Sequence, residues 1–247
     1  MIYTAIWGHR GASAYTPENT LTAFDMSRKM GADGIELDVH LTRDGKVVVI
    51  HDNDIKRTSN GEGIVEEMTY DELLKYDFGN PGVFGNKFEG TQIPLLSEVY
   101  ELFDGTGMTV NVEIKNSLDG VVEETLKIAA EYGYEDKVIY SSFVHEYLAK
   151  AKKLDPSTVV APLFKEEPDF VTLAKTLSAV AVHPAWQTVA QDGYIKTAHG
   201  NGIRVHAWTV NDAPTINKLL VGQVDAIITN FPDIAVEMRN SRLRLFE

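Results

Sequence analysis

The sequence predicts an α/β fold: a single (β/α)8 barrel over residues 1–247, with a small insertion at approximately 53–94 after the second strand. Three observations predict it. Strand-like and helix-like runs alternate eight times along a chain of 247 residues, a common size for a closed α/β barrel. No internal repeat, low-complexity tract or interdomain linker divides the chain. Several strand-like runs are apolar at alternate positions and carry charged or aromatic residues between them, as when one face packs on helices and the other faces an axis. A doubly wound open sheet shares the alternation and is the rival architecture.

The strands read as 2–9, 34–41, 109–115, 138–143, 159–164, 179–183, 204–209 and 226–230. Helices read as 17–30, 95–104, 119–133, 144–154, 167–176, 188–200, 212–221 and 232–240. The first helix opens with Thr16 as N-cap, Pro17 at the first helical position and Glu18 in the first turn, and closes at Gly31. The second strand, GIELDVHL, runs on to a turn at Asp44-Gly45 and is followed by VVVI and His51-Asp52. A two-residue type I′ turn there pairs Arg43 with Lys46 and, counting back, Asp38 with His51. The other reading makes VVVIHD an independent strand whose His51 caps a loop. From Asn53 to Pro94 the glycines at 61, 63, 79, 82, 85 and 90 mark an irregular insert with one short helical patch at YDELLKY.

Composition narrows the function. Against 23 basic residues stand 36 acidic ones, a net charge of -13, which disfavours nucleic acid as a partner yet leaves room for a small phosphate in a locally positive pocket. With no cysteine, disulfides, thiolate metal sites and cysteine nucleophiles are excluded. No signal-like segment and no apolar run of the ~20 residues that span a bilayer are present, so a cytoplasmic protein without integral membrane association is expected. Nothing in the sequence sets an oligomeric state.

The second strand sends Leu37, Val39 and Leu41 to one face and Glu36, Asp38 and His40 to the other. TVNVEIK repeats the pattern, with Asn111, Glu113 and Lys115 opposite Val110, Val112 and Ile114. Trp7 shares a parity with His9, and His206 with Trp208. Alone, such a strand is usually solvent-facing, such a histidine structural and such a lysine superficial. Central barrel strands have no solvent face, however, and three carboxylates near one axis repel one another unless a cation holds them.

His9-Arg10-Gly11 followed by Pro17-Glu18-Asn19-Thr20 resembles the HRG…PENT signature of the glycerophosphodiester phosphodiesterases. ELDVHLTRDGKVVVIHD resembles their second block, and IPLLSEV, VNVEIK, HAWTVN and ITNFP resemble later ones, in order along the whole chain; the insert and residues 144–200 match loosely. The resemblance implies a TIM barrel with one divalent cation on Glu36, Asp38 and Glu113. It also implies catalytic His9 and His51, with Arg10 and Lys115 on the phosphate. All-oxygen ligation suits Mg²⁺ or Ca²⁺ better than zinc. The expected substrate is a small glycerophosphodiester, split to sn-glycerol 3-phosphate and an alcohol. Trp208, Phe143 and His183 are expected to line the glycerol pocket. Resemblance to phosphatidylinositol-specific phospholipases C suggests attack by the substrate's own hydroxyl through a cyclic phosphate, with His9 as base and His51 as acid. Alternatives are a lysolipid phosphodiesterase of the phospholipase D kind, a metal-dependent barrel lyase or isomerase, and a catalytically dead phosphodiester-binding barrel. Intact His9, His51 and acids disfavour the last, paired histidines disfavour the lyase, and the insert offers little apolar lid for a lysolipid.

Overall fold

A computed structural model describes residues 3–244; position 2 of the expected first strand lies outside them. Eight parallel strands close into a barrel: β1 (Ala5–His9), β2 (Gly34–Leu41), β4 (Thr109–Ile114), β5 (Val138–Ser142), β6 (Val160–Phe164), β7 (Ala181–Pro184), β8 (Arg204–Ala207) and β9 (Ala226–Thr229), which pairs back to β1. β3 (Val47–Val49) is antiparallel to the end of β2. The helices are α1 (Leu21–Lys29), α2 (Tyr70–Leu73), α3 (Pro81–Phe84), α4 (Leu96–Phe103), α5 (Val121–Glu131), α6 (His145–Leu154), α7 (Phe170–Thr176), α8 (Trp186–Val189), α9 (Tyr194–Gly200), α10 (Ala213–Val221) and α11 (Pro232–Leu243).

The alternation in the sequence does what it predicts. Leu37, Val39, Leu41, Val110, Val112 and Ile114 point outwards and pack against Phe24, Leu96, Val99 and Phe103 of the surrounding helices. A second apolar cluster, including Val182, Val205, Ile216, Leu219 and Ile227, covers the later strands. No described helix is long and apolar enough to cross a membrane.

Three local expectations need correction. The first helix begins at Leu21, not residue 17, and its N-cap is Thr20, whose Oγ1 accepts from the Ala23 N–H at 3.2 Å. Asn19 sits in the left-handed region at φ 57°, which stops a helix from running through it; its amide is turned instead onto Asp38, donating at 2.8 Å. The expected helix over 188–200 is two, α8 and α9, separated by Gly193 at φ 82°.

The hairpin register is off by one. Thr42 pairs with Lys46 around a three-residue loop in which Gly45 takes φ 77°, so β2 meets β3 as Val39 with Val49 and His40 with Val48. Asp38 lies opposite Ile50, whose N–H donates to its carbonyl at 2.9 Å. A one-residue slip exchanges the faces of a strand. Val47 and Val49 therefore join the outer core, while Val48 and Ile50 face the insert and pack with Ile55, Val65, Leu73, Phe78 and Ile93. His51 follows just past the strand.

Candidate active site

β2 and β4 pair in register with Glu36 beside Asn111 and Asp38 beside Glu113, so the axis-facing parities converge. Each of Glu36, Asp38 and Glu113 is buried and offers an oxygen within 4.8 Å of the others'. Burial raises the pKa of Glu36 well above the ordinary range, and repulsion from Asp38 and Glu113 adds to it. Glu113 is pushed up to about 7, by burial and then by Asp38. Burial also opposes ionisation of Asp38, but Arg10, Lys115 and His51 outweigh it and hold that carboxyl well below its usual value. Arg10 Nε lies 3.3 Å from Asp38 Oδ2; Lys115 Nζ lies 3.2 Å from Asp38 Oδ1 and 2.6 Å from Glu113 Oε1. Asp38 Oδ1 accepts no hydrogen bond even so. Two cations against three buried carboxylates, two of them reluctant to ionise, is a donor set short of positive charge, and a hard divalent cation fits it.

The end of β1 supplies His9, Arg10 and Gly11. His9 Nδ1 meets Asn230 Oδ1 at 2.7 Å, and its Nε2 lies 3.9 Å from Glu36 Oε2. Since an amide oxygen can only accept, the proton is on Nδ1 and Nε2 presents its lone pair to the acids. Burial, then Arg10, lowers the His9 pKa to about 4, so the ring is neutral. Arg10 turns left-handed at φ 55° and its N–H donates to Glu36, at 2.8 Å to the carbonyl and 3.1 Å to Oε2. Gly11 follows at φ 81°, where a Cβ would come 2.5 Å from the Ala23 backbone. That explains the glycine of HRG.

The hairpin brings the second histidine to the rim. His51 Nδ1 donates to Asp52 Oδ1 at 2.6 Å, and Asp52 Oδ2 accepts from Arg57 Nε at 2.6 Å. Arg57 continues to both oxygens of Glu18 at 2.8 Å, and Glu18 also accepts from Arg10 at 2.8 Å. Burial resists ionisation of Asp52, but Arg57 and His51 lower its pKa to about 2.

Of the other expected residues, Trp208 and Phe143 meet edge to face at the mouth, with ring centroids 5.5 Å apart and Phe143 47% exposed. His183 is fully buried; its Nε2 is 2.9 Å from His206 Nδ1, and it lines a cleft with His9, Glu36, Asn111, Glu113 and Trp208. Trp7 and His206 stay inside the barrel, packed against each other at 4.7 Å. Asn19, Asn230, Glu18 and Asp52 stand within the quoted motifs, yet nothing in alternation marks them as partners of Asp38, His9, Arg57 and His51. Arg57 carries no signal at all.

A buried carboxylate triad flanked by two histidines, an arginine and a lysine at the C-terminal rim of an α/β barrel defines a class of site suited to phosphodiester chemistry. Residues 9–234 match the glycerophosphoryl diester phosphodiesterase family. Glycerophosphodiester phosphodiesterase of Caldanaerobacter subterraneus subsp. tengcongensis is 38% identical over 241 residues, covering 95% of this chain and 97% of that one. The enzyme of the same name from Bacillus altitudinis is 38% identical over 244 residues, covering 96% and 98%. The solved structure of an Oleispira antarctica phosphodiesterase in complex with the product sn-glycerol-3-phosphate superposes with a TM-score of 0.86 at 26% identity, covering 96% of this chain and 97% of that one. The chain belongs to the glycerophosphoryl diester phosphodiesterase family and is an enzyme.

Proposed function

We propose that the protein hydrolyses glycerophosphodiesters to sn-glycerol 3-phosphate and an alcohol, with one divalent cation, Mg²⁺ or Ca²⁺, on Glu36, Asp38 and Glu113. One observation carries the reading: a neutral histidine with a free Nε2 and a carboxylate-backed histidine flank the same buried triad. The product in the Oleispira antarctica structure supports the same product here.

When bound, the cation supplies positive charge where phosphoryl oxygens become more negative. Arg10 and Lys115 add fixed charge beside it and orient the phosphate. His9 Nε2 takes the proton of the glycerol 2-hydroxyl; that oxygen bonds to phosphorus as the bond to the leaving alcohol breaks. His51, protonated and held by Asp52, gives its proton to the departing oxygen. Water then adds to the cyclic phosphate and opens it, leaving sn-glycerol 3-phosphate. Each histidine contributes ~10²–10⁴-fold in such a role. Trp208, Phe143 and His183 shape the glycerol pocket.

The test is release of glycerol 3-phosphate from a panel of glycerophosphodiesters by metal-free enzyme supplied with Mg²⁺, Ca²⁺ or chelator. Turnover is expected with either cation and abolished by chelation. Full activity in excess chelator overturns the metal assignment, and efficient cleavage of a 2-deoxyglycerol diester overturns the hydroxyl attack.

A further inference from the structure

Glu18 and Arg57 touch neither the acid triad nor, in the mechanism above, the substrate. Yet they complete an unbroken chain of ion pairs across the rim. It starts at Arg10 after β1, passes through Glu18 and Arg57 to Asp52, and ends on the His51 ring after β3, with links of 2.8, 2.8, 2.6 and 2.6 Å. We propose that Glu18 and Arg57 are positioning residues, a clasp that fixes Asp52 and through it the imidazole of His51, so that proton delivery to the leaving alcohol depends on them. This rests on the reading of His51 as the acid.

The geometry separates this clasp from an ordinary surface pair. Lys56 and Glu62 meet at 2.7 Å with both side chains largely exposed, an arrangement worth little. Arg57 instead spends three donors in one plane: Nε on Asp52, and the two terminal nitrogens on the two oxygens of a Glu18 side chain only 16% exposed. That fork fixes direction as well as charge, and a lysine cannot reproduce it. Asp52 is shared in the same way, one oxygen for His51 and the other for Arg57. A small crevice lined by Glu18, Ile50, Phe78 and Ile93 abuts His51. Because Glu18 Oε1 also holds Arg10, the phosphate-facing cation and the proton donor share one support.

The experiment compares two substrates, glycerophosphoethanolamine, whose alcohol needs a proton to leave, and a glycerol p-nitrophenyl phosphodiester, whose phenolate does not. His51→Ala, Arg57→Met, Arg57→Lys, Glu18→Gln and the double variant Arg57→Met/His51→Ala are measured on both. Arg57→Met is expected to lower the first-step rate, read as alcohol released in a single turnover, by about 10–100-fold on the ethanolamine diester, the usual loss when an oriented histidine loses its backing, with much less effect on the p-nitrophenyl diester and little on KM. Arg57→Lys should fail to rescue, and Arg57→Met should cost nothing further once His51 is gone. Equal slowing on both substrates, or losses that multiply in the double variant, overturn the clasp. Should Arg57→Met melt or lose metal affinity, Glu18→Gln, which keeps the shape of the side chain, is read by the same ratio. If His51→Ala is itself unselective between the substrates, the acid assignment fails and the clasp with it. If His51→Ala is selective and Arg57→Met is not, the clasp alone fails.

Discussion

Glu113 makes metal-free protein sensitive to pH, and the size of the effect can be worked from its surroundings. Its carboxyl rises from an ordinary 4.5 to about 7, by burial and then by Asp38. A carboxyl raised in the fold is stabilising in its protonated form. Its contribution is complete below pH 4.5 and is lost as pH climbs through 7. At about 1.4 kcal/mol for each tenfold change in proton affinity, that difference corresponds to about 3 kcal/mol, most of it lost between pH 5 and pH 8. In a chain of this length each kcal/mol moves Tm by roughly 2–4 °C, so the pH dependence due to Glu113 is on the order of 5–10 °C. The assay is calorimetry of metal-free wild type and Glu113→Gln at pH 5 and pH 8, each with and without Mg²⁺ or Ca²⁺. Wild type should lose more Tm between the two pH values than Glu113→Gln does, and cation should restore wild type far more than the variant. Equal drops for the two proteins would refute the electrostatic argument, because the substitution removes the titrating carboxyl while keeping the shape of the side chain.

Two further outcomes follow from local geometry. Gly11→Ala, forced into φ 81° with its methyl against the Ala23 backbone, should destabilise by on the order of 3 kcal/mol by denaturant unfolding and displace Arg10; Gly82→Ala, with nothing within 4 Å, should stay within about 0.5. Asn230→Leu frees the His9 ring, and should lower kcat by about tenfold or more on both leaving groups, since attack suffers either way; an unchanged rate would show that Asn230 does not set the ring.

The barrel was legible because its rule is simple. Alternate positions must satisfy helices on one side and an axis on the other, so a carboxylate at 36, 38 or 113 stands out against its apolar neighbours. The acids were found this way, and the two histidines through motif resemblance. What escaped was decided by side chains reaching across the rim. Pro17-Glu18 reads as a helix start because local propensity favours it, but Asn19 is claimed by Asp38 and the helix waits until Leu21. Asp44-Gly45 reads as a two-residue turn, yet Thr42 closes a longer loop with Lys46, and the slip sends Ile50 rather than His51 opposite Asp38. Arg57 shows its use only when Glu18 and Asp52, far from each other in sequence, meet around it.

The outer core falls into two apolar clusters, one centred on the early strands and one on the late ones. Glu36, Asp38, His51, Glu113 and Lys115 all precede residue 116, whereas Phe143, His183 and Trp208 come from the later arc. On the roles proposed above, the groups that break the bond lie mostly on the early stretch of the chain and those that shape the glycerol pocket on the later one. On those roles, drift in the later arc would retune how the glycerol half is held while the early arc goes on breaking the same bond, and a chimera joining the first four parallel strands of this enzyme to the last four of a relative should inherit its fit to the glycerol half from the relative.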